Sequence, residues 1–472
     1  MINLDEIRSH ASRVSLANTV VEKDYALGWL LWGISQHPIS GRDWVFKGGT
    51  CLKKCYFETY RFSEDLDFSY RGTDEPNVES LVKIFSEVSD LVMSESGLEL
   101  PKASIQFEIF KNPRGSHSIQ GGIKYRGPVR PQVGLQHMQR IKIDLTVDEP
   151  LVLPPIMKSV EHLYSDKPQN GISVLSYDYE EIFAEKVRAL AQRLRPRDLY
   201  DVIHLYRRMD LNPNRDRLFS TLQSKCKLRG IDVPTMEALE THDNRAFLES
   251  EWETQLKHQI PILPDFRSFL TELPLVLSWI RGEEIEQLAT VPIQISPIDE
   301  IGTSTEEVAK LIMPGPATSY LDRIRFAAAN RLIIRLGYDG SFREIEPYAL
   351  VRSSDENLLL QAIRVQDGES RSYRFDRMEK LEVTDRTFVP RYEIEISSAG
   401  YLPIHQLTRK RGHSLARRSL SDAVAGPTYI YRCGICRKEF KKKKMDSTLN
   451  QHKNKSGYAC SGRVGVFVNT KY

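Results

Sequence analysis

Asp65 and Asp67, one residue apart, are the first side chains in this sequence whose types and spacing could do chemistry. They stand in Arg61-Phe62-Ser63-Glu64-Asp65-Leu66-Asp67-Phe68, and a β-strand sends successive side chains to opposite faces. Both carboxylates therefore share one face, while Leu66 and Phe68 enter a core. Neighbouring carboxylates repel unless a cation lies between them. Mg²⁺ is the economical ion, because it takes a few carboxylate oxygens and leaves its other positions to water and substrate phosphate. A third acid stands in Met138 to Val147, where Ile141, Ile143, Leu145 and Val147 face one side and Lys142, Asp144, Thr146 and Asp148 the other. Asp is depleted from strands. Asp144 is accordingly read as a third metal ligand, on a strand beside that of the pair; the alternative is a solvent-facing residue of an edge strand.

The elements that must position these acids can be read around them. Trp44-Val45-Phe46 is β-prone, Gly48-Gly49 breaks it, and Thr50 is an N-cap for a helix to about Thr59. A Gly-Gly turn at a helix N-terminus lets backbone N–H groups approach a phosphate. Val14 to Gln36 has apolar residues at helical spacing and should be a helix beside that turn, with Glu22-Lys23-Asp24 as a solvated charge run. Val78 to Glu95 reads as a helix and Ala103 to Phe110 as a strand. A Gly-, Arg- and Pro-rich loop from Asn112 to Pro131 carries Arg114, Lys124, Arg126 and Arg130; it is either a plain hairpin loop or a contact for substrate phosphate or RNA. Tyr179 to Leu194 is an amphipathic helix ended by Pro196, and a second helix starts near Asp198. Lys186, on the exposed polar face, suits an anion such as phosphate as a point charge. Asp198 and Asp201 lie at i and i+3 on one face, where they either serve the substrate or, with Arg197, order the turn.

Glu22-Lys23-Asp24-Tyr25, Phe46-Lys47-Gly48-Gly49-Thr50 and Arg61 to Asp67 together resemble the AbiEii/AbiGii-type toxin branch of the DNA polymerase β-like nucleotidyltransferases, and the resemblance raises Glu22-Lys23-Asp24 from a solvated run towards a structural or substrate-side role. Ile182-Phe183-Ala184-Glu185-Lys186-Val187-Arg188-Ala189-Leu190 followed by Arg197-Asp198-Leu199-Tyr200-Asp201 resembles the same family's EK helix and RDxxD element. The resemblance implies an α+β polymerase β-like core that moves an NMP from an NTP to a hydroxyl acceptor. It implies two Mg²⁺ held by the catalytic acids Asp65, Asp67 and Asp144, and a nucleotide held by Gly48, Gly49, Thr50, Ser63, Lys186, Asp198 and Asp201. Relatives of this kind are toxins of toxin–antitoxin or phage-defence systems, some acting on tRNA ends, so an antitoxin partner is implied as well.

Beyond these motifs the chain changes character. Asn212 to Gln287 reads as amphipathic helices with Trp252, Phe266, Phe269, Leu270, Leu273 and Trp279 as core; Ala289 to Pro316 reads as a linker with a short helix at Ser304 to Ile312. After a helix, Tyr320 to Arg331, short strands at Leu332 to Leu336, Phe342 to Arg352, Leu358 to Gln366, Arg371 to Phe375 and Leu381 to Val383 have the rhythm of a small barrel. Glu346-Pro347-Tyr348-Ala349-Leu350 and Arg371 to Met378 are similar to the Sm-like WYL domain, with Leu358-Leu359-Leu360 where the Trp-Tyr-Leu triplet stands in that family. Arg371, Arg374 and Arg377 are read as anion contacts or as a solvated face.

Cys433-Gly434-Ile435-Cys436, His452 and Cys460 form a second metal-type set. Three thiolates and an imidazole match tetrahedral Zn²⁺, one per chain. A redox Cys-x-x-Cys is the competitor, without the thioredoxin-like setting it needs. Lys441 to Lys444, Lys453 and Lys455 surround this finger.

The 472 residues exceed one ordinary core. The organisation expected is a nucleotidyltransferase domain over 1–225, a helical extension over 226–288, a linker over 289–316, a WYL-like barrel over 317–398, a basic linker over 399–426 and a zinc finger over 427–472. Net charge is +3, but Tyr401 to Tyr472 holds sixteen Lys or Arg against three acids, near +13, which leaves the remainder near −10. The tail thus favours a polyanion, RNA above all. With 27% charged residues, no long apolar run and no basic signal start, a cytoplasmic, non-membrane protein is expected. The rival reading is a nucleic-acid-binding regulator on an inactive transferase fold, acting through barrel and finger.

Overall fold

Alternating apolar runs assemble into a seven-stranded mixed sheet, and that sheet places the acids. Its strands are β1 (Trp44–Lys47), β2 (Asp65–Tyr70), β3 (Gln106–Lys111), β4 (His117–Tyr125), β5 (Gln139–Thr146), β6 (Ile156–Val160) and β7 (Ile172–Ser176), in the order β3-β4-β5-β2-β1-β7-β6. The computed structural model describes residues 1–57, 61–74, 76–111, 117–147, 149–208, 211–283, 316–352, 357–392, 394–395, 428–433, 435–436, 438–442, 447–453, 459–461 and 464–471. Outside them lie Thr59, Arg114, Asp148, the expected short helix Ser304 to Ile312, the linkers 289–315 and 399–426, and Lys443, Lys444 and Lys455.

Leu66 and Phe68 of β2 and Ile141, Ile143 and Leu145 of β5 are buried, as the alternation requires. They meet Trp44, Phe46, Phe85 and Phe107 in one core under the helices Asn18–Gln36 and Val78–Ser96. Burying each such side chain contributes roughly 2 kcal/mol or more. The helix Val78–Ser96 is bounded by an Asn77/Ser80 capping box and by Gly97 at φ 72°.

Three local expectations are corrected. Because Ser15 at φ 55° closes a separate helix, Leu4–Val14, the helix expected over Val14 to Gln36 starts later, at Asn18. Its Glu22-Lys23-Asp24 is not a solvated run: Glu22 accepts from the Val129 backbone N–H at 2.5 Å, Lys23 pairs with Glu64 at 2.8 Å, and Asp24 pairs with buried Lys54 at 2.7 Å. Within the expected loop Asn112 to Pro131, His117–Tyr125 is β4, zipped between β3 and β5.

The helix Tyr179–Arg193 follows β7, and the helix Pro196–Arg207 follows it with Pro196 at its first position, where the missing N–H costs nothing. Helices Arg215–Arg229 and Phe266–Arg281 pack around that pair. The helix Pro316–Asn330 then leads into β8 (Leu332–Tyr338), β9 (Ser341–Arg352), β10 (Leu358–Arg364), β11 (Ser370–Arg374) and β12 (Met378–Thr387), an antiparallel sheet of order β11-β10-β9-β8-β12. Leu359 and Leu360 of the substituted triplet are core residues there. Arg371 pairs with Glu369 and Arg374 with Asp376, while Arg377 is exposed. All of this belongs to one compact unit, Met1–Pro403.

The second unit, Ile404–Tyr472, is described over β13 (Thr428–Cys433), β14 (Glu439–Lys442), β15 (His452–Lys453), β16 (Ala459–Cys460) and β17 (Gly465–Lys471). A three-stranded sheet β14-β13-β17 stands beside the two-stranded β15-β16. Among the described residues this unit is all strand and turn.

Candidate active site and metal centre

The register of the central sheet brings the three acids together. β2 and β5 are parallel neighbours, and Asp67 lies directly opposite Asp144. Asp65 is two residues back on the same face of β2. Burial and the facing Asp144 push the Asp67 carboxyl up to about 6, against the pull of Lys47 and Lys186; burial and Asp65 raise Asp144 in the same way. Among the described residues no Lys or Arg forms an ion pair with any of the three. The nearby bases are engaged elsewhere: Lys47 with Glu149 at 2.5 Å, and Lys186 with Asp201 at 2.6 Å and Asp198 at 3.8 Å. Three carboxylates on one face of the sheet are the oxygen donors that a hard divalent metal takes.

β1 ends beside the same face, since Lys47 pairs with Asp67 in register. Gly48 then turns at φ 81°, and a Cβ there would stand 2.0 Å from Asp67 Oδ2, so conformation and space both demand glycine. A Cβ on Gly49 would meet Arg61 Nη2 at 2.7 Å and Ser63 Oγ at 3.1 Å. The helix opens at Gly48 with Lys47 as its N-cap, three residues earlier than the sequence suggests. Thr50 is therefore inside it, not its cap, and its hydroxyl donates to the Asp65 carbonyl at 2.5 Å. From Leu52 to Tyr56 the helix widens into a π-turn.

Lys186 is buried rather than exposed. The reason is the pair Asp198 and Asp201, fully buried at the start of the helix Pro196–Arg207. Asp201 takes a two-pronged Arg61 at 2.7 and 2.8 Å, and Asp198 an equivalent Arg193 at 2.6 and 2.8 Å. Although burial alone would raise it, Arg61 and Lys186 hold the Asp201 carboxyl well below the usual range. Arg197 plays no part in these pairs; its Nε donates to the Gln255 carbonyl at 3.3 Å. Sequence reasoning assigned no role to Arg61, Arg193, Lys47 or Glu149. Arg61 and Asp201 are 140 residues apart, and no local pattern joins them.

In the second unit, Cys433, Cys436, His452 and Cys460 each offer one ligand atom, all within 4.8 Å of one another. Cys433 ends β13, Cys436 lies in the next turn, and His452 pairs with Cys460 across β15-β16. The Asn450 carbonyl accepts from His452 Nδ1–H at 2.9 Å, which leaves Nε2, 3.3 Å from Cys436 Sγ, as the ring atom turned to the cysteines. Backbone N–H groups of Cys436 and Ile435 pull the Cys433 thiol down to about 6, towards the thiolate a metal needs.

Comparison with known families decides what this architecture is. The family described as "Nucleotidyl transferase AbiEii toxin, Type IV TA system" matches residues 29–272, just over half of the chain. The chain belongs to the AbiEii nucleotidyltransferase toxin family. This AbiEii chain is accordingly a nucleotidyltransferase, and it carries a WYL domain over residues 319–383. Among solved structures it is similar to MenT4, a nucleotidyltransferase toxin of Mycobacterium tuberculosis H37Rv, at 18% identity and a TM-score of 0.40, covering 61% of this chain and 92% of that one. It is also similar to the proteasome accessory factor B/C of Arthrobacter aurescens, at 12% identity and a TM-score of 0.16, covering 79% and 74%. No curated protein matches it. Among the described residues no helix is long and apolar enough to cross a membrane.

Proposed function

We propose that this toxin moves an NMP from an NTP to a hydroxyl of RNA, with a tRNA 3′ end as the acceptor, and that a separate antitoxin protein restrains it. The observation that carries the reading is Asp67 facing Asp144 across β2 and β5 beside Asp65, with no basic side chain among the described residues paired to any of them. Two Mg²⁺ in that site would lower the pKa of the acceptor hydroxyl and neutralise the departing pyrophosphate. Asp65, Asp67 and Asp144 are the residues that would hold them. The Gly48-Gly49-Thr50 turn presents the unpaired first N–H groups of a helix to the triphosphate, with Ser63 beside Gly49. Lys186 supplies positive charge, and Asp198 and Asp201 fix its ammonium where phosphate arrives. The second unit holds one structural Zn²⁺ in Cys433, Cys436, His452 and Cys460, and its basic residues bring the nucleic acid.

The test is incubation of the purified chain with labelled NTPs, Mg²⁺ and total RNA. Labelled RNA with wild type and none with Asp67→Asn is expected. RNA that is bound but never labelled, with any NTP, would instead favour a regulator on an inactive transferase fold.

A further inference from the structure

The acid-bearing face of the sheet continues past Asp144 as open surface. Alternation sends Phe107, Ile141 and Ile143 into the core, so Gln106 of β3, Gln120 and Gly122 of β4, and Arg140 and Lys142 of β5 share the opposite face with the three acids. Gln106, Gln120 and Lys142 are exposed there. Register sets Lys142 between Asp65 and Gly122, with Gln106 on the far side of Gly122.

Arg140 lies across this surface. Its Nη1 donates to Gln106 Oε1 at 2.6 Å and its Nη2 to the Gln106 carbonyl at 3.4 Å, two strands away and at the surface. The side chain passes over β4 at Gly122, where a Cβ would stand 2.7 Å from Arg140 Nε and 2.3 Å from the Ile141 carbonyl oxygen. Glycine thus leaves the room in which the guanidinium lies along the sheet instead of projecting from it. Gln106 is neutral and does not cancel the charge it holds. Lys142 stands two residues nearer the acids, and among the described residues no carboxylate pairs with it. At about 3.3 Å per residue, Lys142 is about 7 Å and Arg140 about 13 Å from Asp144 along β5. Strands β3 to β5 bring one further carboxylate, Glu108, which stands in the row of Asp144 and not in those of Lys142 and Arg140. Positive groups leading up to a set of acids suit a polyanion whose end must reach them, and a planar cation on a flat surface suits an unstacked base.

We propose that this face of β3, β4 and β5 receives the single-stranded 3′ end of the acceptor RNA, with Lys142 on a phosphate next to the terminal nucleotide and a base stacked on the Arg140 guanidinium. Gln106 is a positioning residue that holds the plane. The inference rests on the reading of RNA as the acceptor.

The test uses the full-length chain and a short unstructured oligoribonucleotide carrying 4-thiouridine next to its 3′ nucleotide. Irradiated without NTP, it should crosslink to peptides of β3, β4 or β5. In steady-state labelling of the same oligonucleotide, Arg140→Ala should raise the KM for RNA about tenfold and lower kcat far less, as when one stacked base is released. Arg140→Lys should fail to restore it, because lysine keeps the charge and lacks the plane. Lys142→Ala should weaken binding whatever the sequence and reduce the salt slope by about one. Gln106→Ala, which frees the guanidinium without removing it, should give a smaller rise in KM, and it supplies the comparison if Arg140→Ala fails to melt cooperatively. Crosslinks confined to other segments, an unmoved KM in folded Arg140→Ala, or full rescue by Arg140→Lys would each overturn the proposal. If wild type labels no RNA, the acceptor reading fails, and the crosslink map still decides this surface by itself.

Discussion

At Asp67 the cost of bringing acids together is plain: burial and Asp144 raise its carboxyl to about 6. Residues that shared one metal site would act as a unit, so Asp65→Asn, Asp67→Asn and Asp144→Asn should each abolish RNA labelling and cell toxicity, with double variants no worse than singles. Near-wild-type labelling by Asp144→Asn alongside loss in Asp67→Asn would mean that the third ligand is elsewhere. Lys186 leads to a different expectation from that of an exposed lysine. Its ammonium pairs with fully buried Asp201, so Lys186→Ala should lower stability by about 3 kcal/mol as well as raise the NTP concentration needed for transfer. Urea melts decide the first part and NTP titration the second; an unchanged melt would show that Arg61 alone suffices for Asp201.

At the scale of elements, the helix Asn18–Gln36 shows how one small residue sets a packing distance. A Cβ on Gly28 would stand 2.1 Å from His162 Nδ1, and His162 is buried against Tyr25, Trp29 and Tyr164. Burial, then Lys54, depresses the imidazole to about 3, so it is neutral in the folded chain. The sign follows directly. Between the ordinary value of 6.5 and about 3 the unfolded chain takes up a proton that the folded one refuses, so this contribution is full above pH 6.5 and is lost as pH falls. Urea midpoints should therefore drop from pH 7.5 to pH 5 in wild type and drop less in His162→Leu. An identical drop in both would assign the acid sensitivity to other groups. Gly28→Ala should cost about 1–3 kcal/mol at either pH, because the imidazole must move.

For the whole molecule, the WYL part and the transferase part share buried polar contacts. Tyr200 of the helix that carries Asp198 and Asp201 donates to Asn330 at 3.0 Å, and Arg207 of the same helix donates to the Ala329 carbonyl at 3.1 Å. Arg207 and Arg331 both pair with Glu272, at 2.6 and 2.7 Å. Among the described residues the second unit has a small apolar cluster, Tyr431, Cys433, Leu449 and Cys460 with Cys436 and Phe440 against it, too little to fold it unaided. Removing metal should thus unfold residues 428–471 and leave the first unit melting as before, with about one Zn²⁺ per chain by metal analysis of the purified protein. Deleting 426–472 should weaken RNA binding and flatten its salt dependence. Zinc-free protein with an intact tail, or RNA bound equally by the truncated chain, would remove the assignment.

What the sequence alone determined is what depends on local period and donor chemistry. Alternation put Asp65 and Asp67 on one face and isolated Asp144 among isoleucines; Gly48-Gly49 marked the turn; three cysteines and a histidine announced a metal set; short strands announced the WYL sheet. Only the tertiary structure decided which charges are buried. Lys186, Glu22 and Asp24 look solvated in a helical pattern because their partners, Asp201, the Val129 N–H and Lys54, lie far along the chain. Ion pairing across such separations leaves no periodic trace, because it depends on where two elements cross and not on the spacing within either. The same holds for the register that sets Asp67 against Asp144: each strand can be read by itself, but their alignment is chosen by the whole sheet.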